Sequence, residues 1–227
     1  MTRRDVVTVS GSDTWSFLQS LLSQDLDSIP EGERRLTLLL TPQGKVDVLA
    51  GIARVGEDAV LDTDPGYGDQ LVSSLTRFKI RTKVSFEVTA APEVDEAAFA
   101  AEEVERITAG VPRLGADLDD SVIPQEALLE VEAVSFTKGC FIGQELVCRI
   151  DSRGHVNRFL RHVVPEDPSV TLTVGSEISV GNKVVGTITS AAPGIALGFV
   201  RREIEPPSPA SVAGVAVRID KLPQPTA

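Results

Sequence analysis

The chain has 227 residues, 42% of them hydrophobic and 24% charged, and its 22 Lys and Arg against 33 Asp and Glu give a formal charge of −11. That length is ample for a continuous core in an ordinary water-soluble globular protein. The acidic balance excludes general affinity for nucleic acid or anionic membranes, which only a local basic patch would override.

The N-terminal stretch Met1–Asp5 carries Arg3 and Arg4 with no signal-peptide apolar segment behind them. No apolar run reaches the roughly 20 residues of a membrane span, so a cytoplasmic protein without membrane partners is expected. Trp15, Phe17, Leu18, Leu21 and Leu22 recur at helical spacing within residues 12–29, with Ser12 or Asp13 available as N-cap. Residues 34–40 and Val46–Ile52 flank the turn Thr41-Pro42-Gln43-Gly44 and predict a β-hairpin. Asp58–Asp62 is a further short strand, Gln70–Thr76 a helix with Leu71 and Leu75 on one face, and Val84, Phe86 and Val88 alternate as in a strand. Ala90–Glu105 is rich in Ala and Glu and predicts a helix. Thr108–Leu129 is mostly loop, with a short helix after Pro124.

After Pro165 the character changes. Gly and Pro punctuate the short β-branched runs Val170–Val174, Glu177–Val180, Lys183–Thr189, Ile195–Val200 and Val212–Ile219, with Pro206–Pro209 as a loop or flap. This is the pattern of a small all-β barrel. The expected layout is therefore α+β, with an α+β region over 1–160 and a small β-barrel over 165–222.

Chemistry concentrates in Lys138-Gly139-Cys140-Phe141-Ile142-Gly143-Gln144-Glu145, followed by Arg149, Arg153, Gly154 and Arg158. Gly139 and Gly143 allow backbone geometry or close approaches that a Cβ would obstruct. A helix from Ile142 onward would aim its free N–H groups at Cys140, and with Lys138 nearby would favour the thiolate. The basic side chains would form a positive patch suited to a small anionic ligand. The alternative reading makes Cys140 a small buried hydrophobe. Cys148 falls in the apolar run Leu146, Val147, Ile150 and is expected in the core. His155 and His162 are expected at the surface or in packing, because their spacing from the two cysteines matches no compact zinc signature.

This octad, with Arg149 and Arg153-Gly154, resembles the signature of the YgfZ-type folate-binding proteins, with Phe141 where many members carry tyrosine. Gly11–Gln19, Leu40–Lys45, Tyr67 with Leu71, Arg77–Val84, Arg106–Asp117, Ile123–Glu126 and Gly175–Val200 resemble further stretches of that family. The resemblance implies an aminomethyltransferase-like folate-binding fold with a small C-terminal barrel. It also implies tetrahydrofolate or a derivative as cofactor, and iron–sulfur proteins or their assembly factors as partners. Carried over by position, Asp47, Arg106 and Arg149 are the candidate cofactor-binding residues. Cys140 is the candidate reactive thiol, with Lys138 and Glu145 beside it, and Gly139, Gly143 and Gln144 shape the motif.

Two departures bear on activity. The usual doubled aspartate is single here, Val46-Asp47-Val48, and Thr108 stands where the transferases usually place a glutamate. A methylene transfer needs a placed carboxylate to manage the amine proton and the developing cation. The expectation is a folate-binding accessory factor for assembly or repair of iron–sulfur enzymes rather than an enzyme. The alternatives are a folate-dependent aminomethyl transferase or tRNA-modification factor, and a non-catalytic scaffold. Two cysteines are too few to hold a cluster alone, and no metal site is expected.

Overall fold

The computed structural model describes residues 3–223, so Met1 and Thr2 of the N-terminal reading lie outside the described residues. The chain divides into two compact units that interleave along the sequence. The first takes the chain up to Glu93, Asp119–Pro124 and Leu129–Gly154; the second takes Val94–Leu118, Gln125–Leu128 and the chain from His155.

A five-stranded antiparallel sheet organises the first unit. Its strands are β1 (Asp5–Ser10), β2 (Arg34–Leu40), β3 (Val46–Val55), β4 (Asp58–Thr63) and β5 (Ser85–Thr89), in the order β2-β3-β4-β1-β5. β1 is an addition to the strands expected from the sequence, and its Asp5, Val7 and Val9 face inward at period two. The expected hairpin is β2 and β3, whose register slips between Leu39 and Leu40: Leu39 opposes Val48 and Leu40 opposes Val46. Asp47 is thereby the unpaired residue of a β-bulge, a feature that re-aims a side chain.

Helix α1 (Thr14–Leu21) buries Phe17, Leu18 and Leu21 as its spacing predicts, but it stops well short of residue 29. Ser23 draws the chain away: its hydroxyl accepts from Leu38 N at 2.8 Å and donates to the carbonyl of Ala133. Asp13 occupies the N-cap position without capping, because its carboxylate takes Lys83 N at 2.8 Å. Helices α2 (Gly68–Thr76), α4 (Glu130–Ala133) and α5 (Gln144–Arg153) complete this unit, and a single 3-10 turn at Pro124–Glu126 is the short helix expected after Pro124.

In the second unit, α3 (Glu96–Thr108) begins six residues later than expected, where the carboxylate of Asp95 accepts from Ala98 N at 2.8 Å as a true N-cap. Strands β6 (Arg158–Pro165), β7 (Glu177–Val180), β8 (Lys183–Ala192), β9 (Ile195–Arg201), β10 (Ser208–Val212) and β11 (Val215–Asp220) close into a barrel in the order β10-β11-β6-β9-β8-β7. Its interior is filled by Val163, Ile178, Val185, Ile188, Val200, Val217 and Ile219.

Two expectations need correction here. Val170–Val174 forms no strand. Val212–Ile219 is not one strand but part of the β10–β11 hairpin, because Ala213 and Gly214 both take positive φ in a two-residue turn. Part of the expected Pro206–Pro209 loop is therefore strand: Ser208 and Pro209 open β10, where pairing with β7 involves only Ser211 and Val212, so no partner needs a proline N–H. Among the described residues no helix is long and apolar enough to cross a membrane.

Candidate functional site

The motif lies in the first unit, between the end of α1 and the turn joining β2 to β3. Gly143 is the N-cap of α5 with φ +75°, so that helix starts two residues later than Ile142. A Cβ on Gly143 would stand 2.4 Å from the carbonyl oxygen of Thr41, and one on Gly44, also at φ +75°, would stand 2.9 Å from the carbonyl oxygen of Gly143. The two turns therefore touch backbone to backbone. Gln144 closes the motif loop, its Oε1 accepting from Phe141 N at 3.1 Å, and the Phe141 ring is buried.

Lys138 ties the other end of the motif to α1. Its Nζ donates to the carbonyls of Gln19, Leu22 and Gln24 at 2.7, 2.7 and 2.9 Å, satisfying acceptors that the end of α1 leaves open. Burial lowers this ammonium to about 8, against the pull of Asp25 and Asp27, which favour the charge. The ammonium thus serves as a clamp on the helix end. Cys140 is exposed and reduced, and it lines a depression of about 380 Å³ with Ser16, Gln19, Ser20, Asp27 and Lys138. Gln19 fixes the far wall: its Oε1 accepts from Leu26 N and its Nε2 donates to Asp25 Oδ1, both at 2.8 Å. The sequence offered Gln19 only as part of the opening helix, and Asp27 carried no signal.

Asp47 is partly exposed on its bulge. Its Oδ1 and its carbonyl both accept from Gln70 Nε2, at 2.9 and 3.2 Å. Gln70 was missed as a site residue because nothing in its own helix marks it. Glu145 and Arg149 point from α5 into solvent, and among the described residues the Arg149 guanidinium has no ion-pair partner. Gly139 is exposed, with open space where a Cβ would stand.

Cys148 is partly exposed rather than in the core, since α5 fully buries only Val147. Burial and the nearby Asp151 push its thiol up. Asp151 also faces Glu130, whose carboxyl is raised first by its own burial and whose Oε2 has no hydrogen-bond partner among the described residues.

Arg106 lies in the second unit, on α3. Its Nε and Nη2 grip Glu103 at 2.7 Å, Nη1 reaches Asp117 at 2.9 Å and the Val111 carbonyl at 3.2 Å, and Nη2 also meets Ser190 at 2.7 Å. All five N–H donors are spent within the protein. Asp117, whose side chain is fully buried, also accepts from Thr189, Ser190 and Arg113 N. Arg158 belongs to the second unit, where its guanidinium pairs with Glu126 at 3.1 and 3.2 Å. His162 is buried with Nε2 2.7 Å from the carbonyl of Ile107, a packing role, and His155 is exposed.

No family model matches the chain. An uncharacterised protein of Haemophilus influenzae is 27% identical over 232 residues, covering 84% of this chain and 82% of that protein. An aminomethyltransferase of Streptomyces avermitilis is 28% identical over 85% of this chain. The mitochondrial iron–sulfur cluster assembly factor IBA57 homolog of Mycosarcoma maydis is 28% identical over 68% of it. The chain spans about half the length of these last two, 49% and 54%. Among solved structures, the glycine cleavage system aminomethyltransferase T from Bartonella henselae superposes with a TM-score of 0.83 over 97% of this chain and 83% of that one, at 16% identity. The octad and these relatives together are consistent with a YgfZ-like family, and the chain is a protein of the aminomethyltransferase fold related to the IBA57-type iron–sulfur cluster assembly factors.

Proposed function

We propose that this protein is a folate-binding accessory factor in the assembly or repair of iron–sulfur enzymes, with Cys140 as its exposed working thiol. The observation that carries the reading is the way the motif is built. Lys138 and Gly143 fix its two ends to separate elements, and the cysteine between them is left open to solvent on a depression lined by polar groups. A thiol kept only for packing would be buried. The relationship to an assembly factor supplies the biological setting.

The folate part of the reading rests on the first unit. A pterin offers an amino group and ring N–H groups that suit a carboxylate. Asp47 has no opposite residue on its bulge, its Oδ1 is steadied by Gln70, and among the described residues its Oδ2 is left to accept. Arg149, exposed and without an ion-pair partner among the described residues, suits a glutamate tail. Arg106 is assigned instead to holding its own unit together, since no donor remains for a ligand.

Calorimetric titration with tetrahydrofolate under reducing conditions tests the reading. One saturable site is expected, weakened about tenfold or more by Asp47→Ala and unaffected by Cys140→Ser. Absence of binding at millimolar ligand would break the link to folate. The sequence relationship to an aminomethyltransferase keeps a second reading open to the same material: formation of methylenetetrahydrofolate from an aminomethyl donor would make the protein a transferase.

A further inference from the structure

We infer that the loop Arg77–Lys83 is a docking surface for a compact acidic patch on a partner protein. It follows α2 and carries Arg77, Lys79, Arg81 and Lys83 with no carboxylate among them, while the chain as a whole stands at −11. Without the loop's four positive charges the remaining residues total −15, so the loop is a localised reversal of sign. Arg77, Lys79 and Arg81 are exposed, and among the described residues none has an ion-pair partner. Lys83 is partly answered by Asp13.

Charge alone has a milder explanation, because cations just beyond the end of α2 complement its dipole. The apolar residues between them do not fit that explanation. Ile80 is 78% exposed and Phe78 39%, both flanked by cations. Guanidinium and apolar groups side by side are the composition of an interface core rather than of a solubilising surface.

The loop is also held in shape before any partner arrives. Phe78 N and Lys79 N donate to the carbonyls of Leu75 and Thr76 at 3.0 and 3.1 Å, and Ile80 N to that of Phe78 at 2.9 Å. At its far end Lys83 N is fixed by the Asp13 carboxylate at 2.8 Å. A preformed loop spares the ordering entropy that would otherwise offset its contacts.

Charge and size select the partner class. A long polyanion or a membrane would extend past seven residues of positive charge onto a surface that repels it, whereas a compact acidic patch would not.

The test uses the full chain and three fluorescent probes: a glutamate-leucine peptide, a thymidine oligonucleotide and phosphatidylserine vesicles. The peptide is expected to bind in a salt-sensitive way, with binding weakened about tenfold or more by Arg77→Glu/Lys79→Glu and several-fold by Ile80→Ser. Unchanged melting temperatures would show that both variants fold. The proposal is overturned if the peptide does not bind, if the charge reversal leaves its affinity unchanged, or if the oligonucleotide or the vesicles bind as tightly. Tetrahydrofolate binding, measured on the same variants, is expected to stay intact, so failure here is separable from failure of the folate reading.

Discussion

Gly44 and Gly143, nearly one hundred positions apart, face each other across a gap that admits no side chain on either. Each has φ +75°, and a Cβ on either would stand 2.9 Å from backbone atoms of the other. Gly143→Ala would place its methyl against the Thr41 carbonyl as well, adding overpacking to the left-handed penalty. The expected loss is roughly 2–5 kcal/mol in urea unfolding. Gly139→Ala, with nothing within 4 Å of its Cβ, is the matched control and should cost far less.

The two cysteines should differ in reactivity. Cys140 is exposed, while burial and Asp151 raise the Cys148 thiol. Under native conditions near neutral pH, iodoacetamide should modify Cys140 first. Peptide mapping over time reads the order directly, and prior labelling of Cys148 would contradict it.

Lys138 makes a pH-dependent contribution whose sign is fixed by its lowered ammonium. Below about 8 both folded and unfolded chains hold the proton. Between there and the ordinary lysine value of about 10.4 the folded chain has released it and the unfolded chain has not, so the contribution to stability rises with pH. The stability gap between the native protein and Lys138→Met, from urea midpoints, should widen in favour of the native chain from neutrality to about pH 9. A constant or shrinking gap would refute it.

Arg106→Ala should be among the costliest single changes in the second unit. It removes the cation paired with the fully buried Asp117 carboxylate, which keeps only neutral donors, and leaves Glu103 to Arg113 alone. About 3–5 kcal/mol is expected from urea unfolding. Any ligand effect of this variant would therefore reflect folding before it reflected contact.

Asp5 should govern part of the acid response. Its burial opposes charge, yet N–H groups of Ala91, Gly68 and Gly66, at 2.8, 2.9 and 2.9 Å, hold its carboxyl below the usual value. Its stabilisation is complete above the unfolded value of about 3.9 and is lost as pH falls through the lower folded one. Asp5→Asn should cost about 1–3 kcal/mol at neutrality and progressively less in acid.

Local pattern made much of this legible. The hairpin of β2 and β3, the apolar face of α1, α5 behind the motif and most barrel strands follow from periodicity and turn residues. Tertiary contacts decided what the pattern missed. Ser23 ends α1 by bonding to Leu38 and Ala133, which one strand and one helix elsewhere supply. The bulge at Asp47 depends on register with β2, a property of two strands together. Arg106 presents a free guanidinium in sequence and a saturated one in space, because Ser190 lies 84 positions away.

The interleaving of the two units has a consequence for how the chain comes off the ribosome. α3 emerges before any strand of the barrel it packs on, and the sheet of the first unit must wait for α4 and α5, which follow α3. Neither unit is complete until the other has been partly made, so a chain stopped after Gly154 would hold every segment of the first unit together with α3 and none of the barrel strands. Truncated chains ending between α5 and β9 should expose the apolar side of α3 and become chaperone clients, which binds the fate of the cysteine motif to synthesis of the last strands.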